Sequence, residues 1–104
     1  MGLTTDRNNP CLSEIRADGQ QECYLILSDE ERAKGFVRPV RKSYKHLKCG
    51  AVTTMVLAIA ETYARNPKFY SGTYCSRCQT HFNLVDGVGK LAFVWDKDGT
   101  GVGT

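Results

Sequence analysis

No stretch of this chain contains the roughly 18 consecutive apolar residues that a membrane-crossing helix needs, so a membrane span is excluded. The first ten residues, Met1 to Pro10, hold no apolar run of the kind an export signal carries, and the protein is expected in the cytoplasm where it is made. There is no internal repeat and no low-complexity tract. With 104 residues and no break in composition, the sequence predicts a flexible polar arm over 1–10 followed by one domain over 11–104. The cysteines do not form an even set: there are 5 of them. Without an export signal, that count argues against a secreted disulfide scaffold and for a reduced interior. If Asp18-Gly19 turns a hairpin, Cys11 falls nearly opposite Ile26, so Cys11 and Cys23 are expected as separate buried thiols.

The other three cysteines point to a metal. Cys75 and Cys78 are three apart, a spacing that lets one tight turn hold a Zn²⁺ ion between two thiolates. His46 and Cys49 repeat the spacing and are followed by Gly50, which readily takes the left-handed conformation such a turn requires. Structural zinc takes four N or S ligands in a tetrahedron, and His46, Cys49, Cys75 and Cys78 supply them. His81, three residues after Cys78, is the alternative fourth ligand. A two-plus-two arrangement, with each pair on its own turn, favours His46. The ion would then staple the domain, and its binding energy would be part of the folding energy.

Along the chain, Cys11–Ile15 is a short expected strand, turning at 17–20 into a second strand over Glu22–Leu27. Ser28 followed by three acids predicts a capped helix that Gly35 ends. Phe36 to Val40 is extended or irregular because Pro39 cannot donate to a ladder. Val52, Met55, Val56, Ile59 and Tyr63 recur at three- and four-residue steps, which predicts the main helix, capped by Thr53 or Thr54, ended before Pro67 and carrying a Glu61–Arg65 pair. Extended segments follow at 70–74, 82–85 and 91–95, the last two joined through Asp86-Gly87-Val88-Gly89. The end of the chain, from Asp96 to Gly101, superficially matches the opening of a calcium loop, but no closing glutamate follows, so a plain turn is expected.

Between Arg32 and Lys48 there are seven basic residues and no acid, which leaves seven bases against eleven acids elsewhere. The modest net charge of +3 therefore hides a polarised chain. Arg38, Arg41, Lys42, Lys45 and Lys48, with Tyr44 among them, are candidates for contacting a partner or a phosphate backbone. A solvated face and docking on an acidic protein are the competing uses of the same charges.

An enzyme is not expected. Zinc deaminases need His-x-Glu ahead of a Pro-Cys-x-x-Cys element, but here Lys48 stands where the glutamate would be and Tyr74 where the proline would be. A Cys49 nucleophile with His46 as base has no evident orienting third group.

His46-Leu47-Lys48-Cys49-Gly50 together with Cys75-Ser76-Arg77-Cys78 resembles the paired knuckles of a zinc ribbon with one Cys replaced by His. The fold expected is thus α+β: a small antiparallel sheet with one main helix and zinc-ribbon-like knuckles. The runs Phe36–Arg41, Ala58–Pro67 and Phe93–Trp95 resemble small phage and prophage proteins. That resemblance implies a mobile-element origin, a place in the host cytoplasm, and a non-enzymatic protein that binds and inhibits or redirects a host or defence protein handling nucleic acid. Direct binding of DNA or RNA through the 32–48 segment is the alternative.

Overall fold

A computed structural model of the chain describes residues 2–85 and 88–104. It is an α+β fold with one main helix, as the sequence predicts. The strands fall into two antiparallel sheets and one short parallel pair rather than a single sheet. Strand β1 (Gly2–Thr4), inside the segment expected as an arm, runs parallel to β2 (Cys23–Leu25).

The expected strand over Cys11–Ile15 is replaced by a single 3-10 turn, Pro10–Ser13. Pro10 opens it without sacrificing a donor, and the Asn9 side chain accepts from the Cys11 N–H at 3.1 Å. This turn overturns the expectation of separate thiols. Asp18-Gly19 does form the hairpin turn, with Ile15 bridged to Gln21, but the 3-10 turn bends the chain back beyond Ser13. Cys11 therefore arrives beside Cys23 rather than Ile26, with the Cα atoms 5.4 Å apart, and the two form a disulfide.

Helix α1 (Asp29–Arg32) starts as read, with Ser28 Oγ accepting from the Glu31 N–H at 3.2 Å. The basic run then enters a strand that its composition hides: β3 (Ser43–His46) turns back into β4 (Val52–Thr54). The main helix α2 consequently begins at Leu57 and runs to Arg65, five residues later than its apolar periodicity suggests. Val56 is its N-cap and contributes no side-chain bond, so the expected Thr53 or Thr54 cap is absent. The expected Glu61–Arg65 pair within the helix is replaced by ion pairs to α1. Glu61 takes Arg32, and Arg65 lies 3.5 Å from Glu31.

Strands β5 (Gly72–Cys75) and β6 (Thr80–Asn83) form a second hairpin, and β7 (Phe93–Trp95) pairs with β3 to complete the order β4-β3-β7. The expected 86–89 connection lies partly outside the described residues. Between α2 and the three-stranded sheet lies an aromatic core. Trp95 stands edge-on to Tyr63 at 5.5 Å, and Tyr44 stands edge-on to Phe93 at 5.6 Å. The 96–101 segment is a turn, closed by Trp95 N–H to Thr100 O at 2.7 Å.

Candidate metal centre

His46 and Cys49 sit at the tip of the β3–β4 hairpin, and Cys75 and Cys78 at the tip of the β5–β6 hairpin. Both tips have the same backbone form. In the first, Gly50 takes φ 75° and donates its N–H to the His46 carbonyl at 2.7 Å. In the second, Gln79 takes φ 54° and donates to the Cys75 carbonyl at 2.8 Å. A left-handed residue just after the second ligand closes each turn, so both ligands of a pair point to one side. Glycine marks this position in the first tip, but Gln79 carries no such mark in sequence.

The two tips face each other. The four ligand atoms lie within 4.8 Å of one another. Cys49 Sγ is 3.5 Å from Cys75 Sγ, and Cys78 Sγ is 3.7 Å from His46 Nδ1. Ligand bonds of ~2.3 Å to sulfur and ~2.0 Å to nitrogen in a tetrahedron give S–S and S–N edges of about 3.8 and 3.5 Å. The donor set therefore fits one metal ion, held on four protein atoms.

Each ligand has its own support. Cys75 and His46 are buried, at 0% and 2% exposure. The His46 ring lies between two phenylalanines, stacked on Phe93 with centroids 4.7 Å apart and tilted against Phe82 at 4.5 Å. Burial, with a smaller contribution from the Lys48 charge, keeps the imidazole below its ordinary pKa and hence in the neutral form that a metal needs. A second clamp joins the hairpins directly: Ser76 donates its N–H to Thr53 Oγ1 at 3.1 Å, and the two hydroxyls are 3.0 Å apart. No spacing rule singles out Phe82, Phe93 or this Thr53–Ser76 clamp.

Cys49 and Cys78 are shifted in opposite directions. A hydrogen bond from the Ala51 backbone holds Cys49 below its ordinary value. Desolvation, and then the sulfurs of Cys75 and Cys49, push Cys78 up to about 11. Three thiolates this close repel one another, and a divalent cation is the charge that lets all three ionise together.

His81 does not belong to the cluster. Its Nε2 is 2.9 Å from the Tyr24 hydroxyl, and its ring lies between Tyr24 and Tyr74. It faces across the β5–β6 hairpin toward the N-terminal segment instead.

The basic candidates separate into two groups. Arg41 is buried at 7% exposure, bonded through Nη1 to Asp98 Oδ2 at 2.9 Å and Thr100 Oγ1 at 2.6 Å, and its guanidinium lies over Trp95. Tyr44 is buried at 3%, donating its hydroxyl to the Tyr74 carbonyl. Both side chains are built into the core rather than displayed on the basic surface where the sequence suggests them. Arg38, Lys42, Lys45 and Lys48 are exposed. Arg38 is bonded to the Thr104 and Val37 carbonyls. Lys45 projects from the outer face of the sheet, across from Val52 and Val94 in register.

Among the described residues, no helix is long and apolar enough to cross a membrane. No protein-family model, no curated protein and no solved structure matches this chain.

Proposed function

We propose that the protein is a non-enzymatic, zinc-stapled binding module that docks on a host or defence protein which handles nucleic acid, and inhibits or redirects it. The observation carrying the metal half is the convergence of two like-shaped hairpin tips that bring three sulfurs and one imidazole within 4.8 Å of one another. Three sulfurs favour zinc over harder cations. A tetrahedron completed by protein atoms has no position for water or substrate, which is the character of a structural rather than a catalytic site. The choice of a host or defence protein as partner is supported by the resemblance to small phage proteins.

The binding half is supported by the first hairpin's outer surface. Leu47 and Val52 are 48% and 47% exposed there, beside Lys45 and Lys48. Apolar side chains interleaved with cations suit an acidic protein surface, which would be drawn in by charge and held by burial.

Elemental analysis of protein purified without chelator tests the metal half. One zinc per chain is expected, and a cobalt-substituted sample should show the spectrum of a tetrahedral thiolate site. The absence of stoichiometric metal would remove the proposal. Capture from a host lysate, with a Lys45→Glu/Lys48→Glu variant alongside, tests the docking half. A partner protein retained by the parent and lost with the variant is expected.

The exposed Lys42, Lys45 and Lys48 also support a second reading, direct contact with DNA or RNA. That reading expects retardation of a duplex in a low-salt gel shift and a log–log salt dependence of about −0.9 for each phosphate contacted. Unretarded nucleic acid at low salt eliminates it.

A further inference from the structure

The sequence holds 5 tyrosines, and all of them, Tyr24, Tyr44, Tyr63, Tyr70 and Tyr74, line one cleft of about 90 Å³. It opens where the N-terminal hairpin, the start of α2 and the β3–β4 and β5–β6 hairpins meet, and Met55 contributes to its apolar wall. Four of the five phenol hydroxyls are tied down by hydrogen bonds within the protein. Tyr44 donates to the Tyr74 carbonyl, Tyr70 to the Leu25 carbonyl and Tyr74 to the Asp18 carbonyl, while Tyr24 shares a hydrogen bond with His81. The Tyr63 ring is held edge-on by Trp95 and tilted against Tyr70 at 4.7 Å. The walls are therefore fixed before any ligand arrives, and little ordering cost remains to be met on binding.

We propose that this cleft binds one uncharged, single-ring aromatic group. No Asp, Glu, Lys or Arg lines it among the described residues, so a charged ligand would leave water without a counter-charge. Ring walls at these angles offer edge and face contacts to another ring. The volume sets the size. An apolar cavity of about 150 Å³ accepts benzene whole, so a cleft of about 90 Å³ with an open mouth seats a single ring with one edge outside. A fused two-ring base is too large to enter. The ring can be a free small molecule or the side chain of a docked protein, and both present the same chemistry.

Titration of the zinc-loaded full chain, followed through a carbon-13 methyl label on Met55, tests the site. Phenol represents the free ring and N-acetyltyrosinamide the side chain. A saturable shift of the Met55 methyl with either probe is expected, with a dissociation constant in the millimolar range or tighter, and the tighter probe names the source. Val56 lies at the mouth, is 37% exposed and gives no side-chain cap to α2, so Val56→Trp closes the cleft from outside. It should weaken binding at least tenfold, whereas Val37→Trp, at a position 55% exposed and away from the cleft, should leave it unchanged. Thr54→Trp, also at the mouth and on the solvent side, repeats the block should Val56→Trp lose its metal or its fold. The proposal is overturned if neither probe saturates, if the plugged and metal-loaded variants bind as the parent does, or if tetramethylammonium binds in preference to phenol.

Discussion

This molecule has one covalent staple and one site that could hold a metal as a second, and the two differ in what they close. The Cys11–Cys23 disulfide links residues 12 apart and secures a hairpin in which Cys23 alone is buried. The four-residue candidate metal site brings the tips of two hairpins together, and its buried Cys75 and His46 pack into the aromatic core itself. The disulfide fastens an edge, whereas a metal at the four-residue site would organise the centre. They meet at one point, where Gly19 of the N-terminal turn lies so close to the second knuckle that an added Cβ would come within 1.8 Å of the Gln79 carbonyl oxygen.

Withdrawing the metal should break this contrast most completely. Structural zinc contributes on the order of 10 kcal/mol to folding, comparable with the roughly 5–15 kcal/mol that a domain has in total. Chelation, or Cys75→Ala, is expected to abolish the cooperative thermal transition and the near-ultraviolet dichroism of Trp95. A chelated protein that kept both would show that the core stands without its metal.

Breaking the disulfide should do less. Closing a loop of this length is worth about 3 kcal/mol on the chain-entropy estimate. The Cys11→Ala/Cys23→Ala protein should keep its metal and its fold and lose roughly that amount in a urea titration. Loss of metal along with the bridge would mean that the two staples are not separate.

A smaller effect is expected at Asp98. Hydrogen bonds from Thr100, and then the Arg41 guanidinium, hold its carboxyl down at about 2, below its ordinary 3.8. A carboxylate depressed on folding stabilises the native state above its unfolded pKa, and this contribution fades as pH falls from about 4 to 2. Asp98→Asn should lower the urea midpoint at pH 7 by less than the disulfide variant does, and flatten the decline of stability between pH 4 and 2. An unchanged acid limb would show that Arg41 does not depend on Asp98.

The two knuckles provide the finest comparison. Gly50 faces open space at φ 75°, so Gly50→Ala should cost only its backbone strain, about 1 kcal/mol. The reverse change, Gln79→Gly, should gain less than about 1 kcal/mol, because glycine also loosens the unfolded chain. Equal and opposite midpoint shifts would mean that the two turns carry the same strain.

What the sequence made legible follows the same division between local and distant causes. The four clustered residues could be found because a His-x-x-Cys-Gly and a Cys-x-x-Cys are local statements of geometry. So could the end of α2, where Pro67 and the buried Ala60, Tyr63 and Ala64 agree. The start of α2 could not, because Val52 and Met55 fit a helical period while the knuckle at Gly50 had already committed Val52–Thr54 to pairing with β3. Arg41 and Tyr44 look like a surface run until Asp98, Thr100 and Trp95, more than fifty residues away, enclose them. The Cys11–Cys23 bridge depends on one turn of 3-10 helix, four residues whose bend outweighs the register of the hairpin.

The short approach of Cys49 Sγ to Cys75 Sγ, 3.5 Å, has a practical consequence for anyone handling the molecule. Once the ion is stripped in air, dissolved oxygen can accept two electrons and two protons from these neighbouring thiols and weld the hairpin tips together. A cation bound there would thus double as a protecting group, and chelator and oxidant should never share a buffer.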